Sequence, residues 1–218
     1  MSEVNLLKNY PKSKRKINAR AEKKTEEVRR IARKFSREYF DGERIYGYGG
    51  YHYHPRFWEK VISDFQKYYK LTGKSSVLDV GCGKGFMLYD FVRLIPGITV
   101  AGIDISDYAI AHALSKVRPY LKVGNAKSLP YPDKSFDLVI SINTIHNLPI
   151  ADCKKALKEI ARVAKKHSFI TVDAYHTAAE KKRMEDWNLT ARTFMSVNEW
   201  EKLFEKIGFA GDYYWFIP

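Results

Sequence analysis

Short apolar runs alternate with amphipathic helical periods from about residue 55 to the end of the chain. Residues 77–80, 99–103, 121–123, 136–142 and 169–172 are apolar stretches rich in Val, Ile, Leu and Phe, the pattern of strands buried on both faces. Around them apolar residues recur every three or four positions. Residues 55–71 put Phe57 or Trp58, Val61, Ile62, Phe65 and Tyr69 on one face, and 151–165 do the same with Cys153, Ala156, Leu157, Ile160 and Ala164. Residues 196–207 open on a capping box, Ser196 with Glu199, and stop at Gly208; 211–217 form a last strand. The alternation predicts an α/β, Rossmann-like three-layer sandwich with a mostly parallel sheet of six or seven strands.

The first 54 residues read differently. Residues 19–40 carry a helical stripe of Val28, Ile31, Ala32, Phe35 and Tyr39, predicted to dock over the mouth of the sheet or on a partner. Residues 46–53 then hold four tyrosines and three glycines, too mobile and too aromatic for core, which predicts a lid. The expected organisation is therefore a helical arm and Tyr/Gly lid over 1–54 and an α/β domain over 55–218, with a charged insertion at 176–195.

The candidate chemistry sits at the first strand. Asp79 closes it, and Gly81, Gly83 and Gly85 alternate through the following turn into a helix start. Glycines serve where the backbone takes positive φ or comes close to a ligand, and a strand, glycine loop and helix N-terminus make a nucleotide-type site. The second strand ends in Asp104, placed to accept ribose hydroxyls. The spacing Gly-x-Gly-x-Gly differs from the dinucleotide fingerprint Gly-x-Gly-x-x-Gly. An acid at the strand tip repels a pyrophosphate but suits an ammonium or sulfonium, which argues against hydride transfer.

Taken in order, Asp79-x-Gly81-x-Gly83-x-Gly85, Gly102-Ile-Asp104-Ile-Ser106, Gly124-Asn125-Ala126 and Leu129-Pro-Tyr-Pro-Asp133-x-Ser135-Phe-Asp137 resemble the class I S-adenosylmethionine-dependent methyltransferases, over residues 75–175 with an echo at 196–209. The closest look-alike is the small-molecule branch, the type 11 methyltransferase domain. The resemblance implies S-adenosyl-L-methionine as cofactor and S-adenosyl-L-homocysteine as product. It places Asp79, Gly81, Cys82 and Gly83 at the methionine part, Asp104 at the ribose, Ile105 on the adenine, Asn125 and Ala126 at the adenine edge and Asn143 beside the sulfonium. The family often has Asp where this chain has Asn125; an amide can still donate and accept there. The family also usually ends in two antiparallel strands. With one, an aromatic sheet edge is left open, which would favour a homodimer.

Chemistry in such sheets lies beyond the carboxyl ends of the strands. His146, Asp173, Tyr175 and His176 are the acid–base candidates, with His146 preferred for its pKa. Tyr46, Tyr48, Tyr51, His146, Asn147, Tyr175, Trp187 and Arg192 are the candidate acceptor contacts, joined by Asn188 and Thr190. Arg44, Arg56 and Arg192 would suit a phosphate or carboxylate.

Composition adds boundaries. Net charge is +13, of which residues 1–40 carry +8. This opens a nucleic-acid role for the arm, less favoured than a solvated helix face. Cys82 and Cys153 suggest neither disulfide nor metal site, and no metal is expected. No apolar run spans a membrane, so a soluble cytoplasmic protein is expected. The reading is an enzyme: a methyltransferase of a small polar metabolite (a sugar, nucleotide sugar or amino-acid derivative) acting at O or N. The alternatives are other chemistry on the same fold (decarboxylation, cyclisation or isomerisation) and an RNA or protein methyltransferase using the basic arm.

Overall fold

A computed structural model describes residues 1–11, 21 and 23–217. The basic run at 12–16 and Glu22 lie outside the described residues.

Seven strands form one sheet: β1 (Ser76–Val80), β2 (Thr99–Asp104), β3 (Leu121–Val123), β4 (Phe136–Ile142), β5 (Ala164–Tyr175), β6 (Met195–Ser196) and β7 (Asp212–Phe216). The order is β3-β2-β1-β4-β5-β6, with β7 also on β5, and every strand pair is parallel. The order reverses at β1, between β2 and β4, so the carboxyl ends of β1 and β4 flank the switch-point crevice.

The period-two alternation of the strands sorts the core into two layers. Val77, Leu138, Ile140 and Phe169 face α3 (Glu59–Tyr69) and α4 (Phe86–Leu94), meeting Val61, Ile62, Phe65 and Phe91. Their neighbours Leu78, Val80, Val139 and Ile170 face α6 (Ile150–Val163) and α8 (Val197–Ile207), meeting Cys153, Leu157, Ile160 and Trp200. The capping box at Ser196 and the left-handed Gly208 stop of α8 are both present. The edge that the sequence leaves bare is covered within the chain. β7 runs parallel to β5, and residues 2–4 pair along its other side: Val4 N donates to Tyr213 O (2.9 Å) and Tyr213 N to Ser2 O (3.0 Å). That removes the open edge as a reason for a homodimer.

The arm is not one helix. α1 (Glu26–Ala32) and α2 (Arg37–Phe40) are separated by a turn in which Phe35 has φ +49°. The Phe35 carbonyl accepts the Ser106 hydroxyl, and Phe40 is buried beside the glycine loop. These contacts with the sheet break the helical period that the stripe alone predicts. A short α5 (Asp107–Ala111) follows β2, and α7 (Ala178–Trp187) follows β5 with a capping box of Thr177 and Glu180. Among the described residues no helix is long and apolar enough to cross a membrane.

Candidate active site

A cavity of about 960 Å³ runs along the carboxyl ends of the strands, from the glycine loop to the end of β7. Its roof is the arm: Phe35, Tyr39, Phe40, Tyr48 and Tyr51 line it. Tyr51 stacks on Tyr48 (4.3 Å) and on Phe86 (4.7 Å) and lies over Gly83. The roof is pinned through a pair the sequence pattern does not single out. Lys84, inside the glycine loop, donates from Nζ to Asp41 Oδ2 (2.6 Å) and Tyr51 O (3.0 Å). Tyr108 OH and Tyr51 N also donate to Asp41. Burial works to raise the Asp41 pKa, but these hydrogen bonds bring it down to about 2.

The glycines divide the work of the loop. Gly81 has φ +90°, and a Cβ there would sit 2.1 Å from Thr144 Oγ1 in the β4 loop. Gly83 has φ +53°, but a Cβ would meet nothing closer than the Tyr51 ring at 3.5 Å. Gly81→Ala is therefore expected to cost about 3 kcal/mol and lower Tm by roughly 10 °C. Gly83→Ala should keep most of the stability, at about 1 kcal/mol of left-handed strain, and act on ligand affinity instead. Thermal denaturation with binding titration checks both.

Two carboxylates meet beneath this loop. Asp104 Oδ2 accepts the Gly83 N–H (2.7 Å) and Oδ1 the Ser106 N–H (2.8 Å). Burial raises its pKa and these N–H groups oppose the rise. Asp79 is 5% exposed and lines the cavity. Among the described residues its carboxylate accepts no hydrogen bond and meets no cation. Burial, with Asp104 alongside, pushes its pKa up to about 7. A buried carboxylate without a partner is costly unless something cationic or hydrogen-bonding completes it. Ile105, 55% exposed, presents an apolar side chain at the lip beside Asp104, and Asn125 and Ala126 line the wall beyond β3. Cys82 is buried and its pKa is raised by burial.

At the far side, Asn143 closes β4 in the left-handed region (φ +51°), which asparagine tolerates. Its Oδ1 accepts from Thr171 Oγ1 (2.8 Å). His146 is buried. Its Nδ1 accepts the Asp173 backbone N–H (3.2 Å), so Nε2 carries the proton and faces Asp173 Oδ2 at 3.5 Å. Burial lowers the His146 pKa, which Asp173 partly offsets. With both ring nitrogens engaged, this imidazole is poorly placed to take a proton from a bound acceptor. Asp173 Oδ2 also accepts from Asn188 Nδ2, and the Asp173 carbonyl accepts from Trp200 Nε1 (3.0 Å). Asp173 lines the cavity, its pKa raised by burial against the pull of His146 and Asn188.

Of the other sequence candidates, Tyr48, Tyr51, Asn147, Trp187, Asn188, Thr190 and Arg192 line the cavity. Tyr46 is not part of the lining; it packs with Val28, Ala32 and Leu189, the last of which is. Tyr175 packs at a tilt against Phe194 (5.2 Å), also outside the lining, and exposed His176 donates its backbone N–H to Glu180 Oε2 (2.7 Å), beside the Thr177 cap of α7. Arg44 is used by the Gly47 and Tyr48 carbonyls, and Arg56 lies over Phe57 at 4.8 Å. The sequence pattern gives no cue to Asn5, Leu7, Lys8 and Tyr10, which line the cavity because residues 2–4 are paired to β7. No group of three metal-ligating side chains occurs among the described residues.

Residues 78–172 match the family described as Methyltransferase domain. This chain carries a class I methyltransferase domain. The chain is 34% identical over 116 residues to demethylmenaquinone methyltransferase of Symbiobacterium thermophilum, covering 50% of this chain and 45% of that enzyme. Over 148 residues it is 33% identical to the tRNA (carboxymethyluridine(34)-5-O)-methyltransferase of Arabidopsis thaliana, covering 66% of this chain and 33% of that one. The chain thus spans less than half the length of either relative. Among solved structures, a complex of a methyltransferase activator and a methyltransferase from Haloferax volcanii matches at 26% identity and TM-score 0.51, covering 63% of this chain and 62% of that chain.

The residues of this methyltransferase domain fit an adenosyl sulfonium cofactor. Asp79 supplies an unpaired buried carboxylate for an ammonium, Asp104 retains lone pairs for a diol, and Ile105 offers an apolar face for a purine.

Proposed function

We propose that this protein transfers the methyl group of S-adenosylmethionine to O or N of a small polar metabolite, such as a sugar, nucleotide sugar or amino-acid derivative. The observation that carries the reading is the buried carboxylate of Asp79, which accepts no hydrogen bond from the described residues. It opens into a cavity that continues to a second built carboxylate, Asp173. The volume is at the upper end of the range of about 300–1,000 Å³ for ligand cavities, room for a cofactor and a second molecule.

When bound, the cofactor supplies an electrophilic methyl group on sulfur. The chain does the rest. Asp79 holds the ammonium, Asp104 the ribose hydroxyls, and Ile105, Asn125 and Ala126 the adenine, while Gly81, Cys82 and Gly83 shape the backbone under the methionine part. Asn143 borders the reacting atoms. Tyr48 and Tyr51 close the roof and keep water out, and their rings favour a cation beneath them. Asp173 takes the proton from the acceptor, and His146 and Asn188 hold its carboxylate in place. Asn147, Trp187 and Arg192 line the acceptor side.

Incubating the full chain with methyl-labelled S-adenosylmethionine, a fractionated metabolite extract and total RNA tests this. Label is expected in the small-molecule fraction. A second reading has the tRNA-modifying relative behind it, and label confined to RNA would favour it. No label above an Asp79→Asn control would contradict methyl transfer altogether.

A further inference from the structure

Cations crowd the segment that turns back from α7 over the end of β5. Lys24 Nζ donates to the Asp186 and Asn188 carbonyls, and Arg29 Nη1 to Asn188 O (3.1 Å). Both are spent on the carbonyl end of α7, where a helix leaves unpaired acceptors and negative potential. Two arginines of the same neighbourhood are left lining the cavity.

Arg33, in the turn after α1, pairs through Nη1 with Glu26 (3.0 Å) and reaches Ala191 O through Nη2 at 3.5 Å. Its Nε is buried with no partner. Arg192 follows directly on Ala191. Its backbone N–H donates to His146 O (3.0 Å), which anchors it beside the Asp173 pair. Among the described residues its guanidinium makes no hydrogen bond and no ion pair. Arg192 is exposed, and none of the carboxylates of the cavity pairs with either arginine. Asp79 and Asp104 lie at the glycine-loop end, and Asp173 Oδ2 is taken by Asn188 and faced by His146.

We propose that Arg33 and Arg192 form an oxyanion subsite for a phosphate or carboxylate group of the acceptor, a refinement that rests on the methyltransferase reading above. Both side chains line the cavity, and an anion between them is attracted by two positive charges. The unengaged planar fork of Arg192 matches the two oxygens of either group, and Arg33 adds its charge and, once its side chain turns toward the anion, its unpartnered Nε. The backbone bond of Arg192 to His146 holds this segment beside the His146–Asp173 pair, so an anion on Arg192 and the proton acceptor Asp173 share one side of the cavity. The atom to be methylated thus lies a short distance from the charged group, as in a compact anionic metabolite.

Calorimetric titration of inorganic phosphate, and in parallel acetate, into the full chain at constant ionic strength tests the subsite. Titrations with and without S-adenosylhomocysteine separate it from the cofactor reading, because a failed subsite leaves cofactor binding intact and the reverse also holds. Saturable binding of either anion is expected, and the tighter of the two names the group. Arg33→Met and Arg192→Met should each weaken it about tenfold, with Arg192→Lys intermediate. Unchanged S-adenosylhomocysteine affinity in these variants shows that they fold. Non-saturable heats for both anions in the wild type, or full affinity in both Met variants, would overturn the proposal.

Discussion

Asp79→Asn is expected to make the ligand-free protein more stable at pH 8 and to weaken cofactor binding about 100-fold, two effects of opposite sign from one buried carboxylate. Its folded pKa is raised to about 7 by burial and by Asp104, above the value of an unfolded chain. The native protein therefore holds a proton there that the unfolded chain has lost. The stability this gives is complete at pH below about 4 and is lost as pH rises to 7. Above pH 7 the wild type carries a charge with no partner. The amide removes that charge at almost the same volume, for an expected gain of roughly 2–4 °C in Tm at pH 8. Binding shows the other side. Affinity for S-adenosylhomocysteine in the wild type should be flat above pH 7 and fall by up to about tenfold per unit below it, as Asp79 protonates. The variant should bind weakly with no such dependence.

Asp173→Asn should leave cofactor affinity within about twofold and lower turnover of the acceptor by about 10²–10⁴, the usual worth of a positioned proton acceptor. The fold tolerates the change because the amide oxygen can still accept from Asn188 and face His146, turning its NH₂ to the cavity. His146→Ala removes the acceptor of the Asp173 N–H. Its expected cost is about 1–3 kcal/mol of stability, with a smaller loss of turnover than Asp173→Asn. Equal losses in the two variants would return His146 to the role of base. Single-turnover kinetics with binding titrations separates these outcomes.

The contrast between these two carboxylates shows what the sequence pattern carries. Asp79 is legible because it sits at a fixed offset within one local run of strand, glycine turn and helix, and local spacing survives folding. The layers were legible for the same reason: strand alternation assigns Val77 and Leu78 to opposite faces whatever the tertiary context. The engagement of His146 is not legible, since its partner is a backbone N–H 27 positions away. Nor is the break at Phe35, which depends on Ser106, or the inward path of residues 5–10, which depends on pairing with β7. The tyrosines of 46–53 follow no period, so composition marks the segment without telling Tyr51, over Gly83, from Tyr46, packed on Val28 and Leu189. Lys84 between two loop glycines is the one cue to the Asp41 pin.

The central claim is that the cavity at the carboxyl ends of β1 and β2 is completed by an adenosyl ligand whose ammonium meets Asp79. Calorimetric titration of S-adenosylhomocysteine into the full chain between pH 5.5 and 8.5, wild type beside Asp79→Asn, tests it most directly. The account predicts one site per chain, with affinity falling below pH 7 in the wild type alone and about 100-fold weaker at pH 8 in the variant. Equal affinity in the two proteins across that range would contradict it.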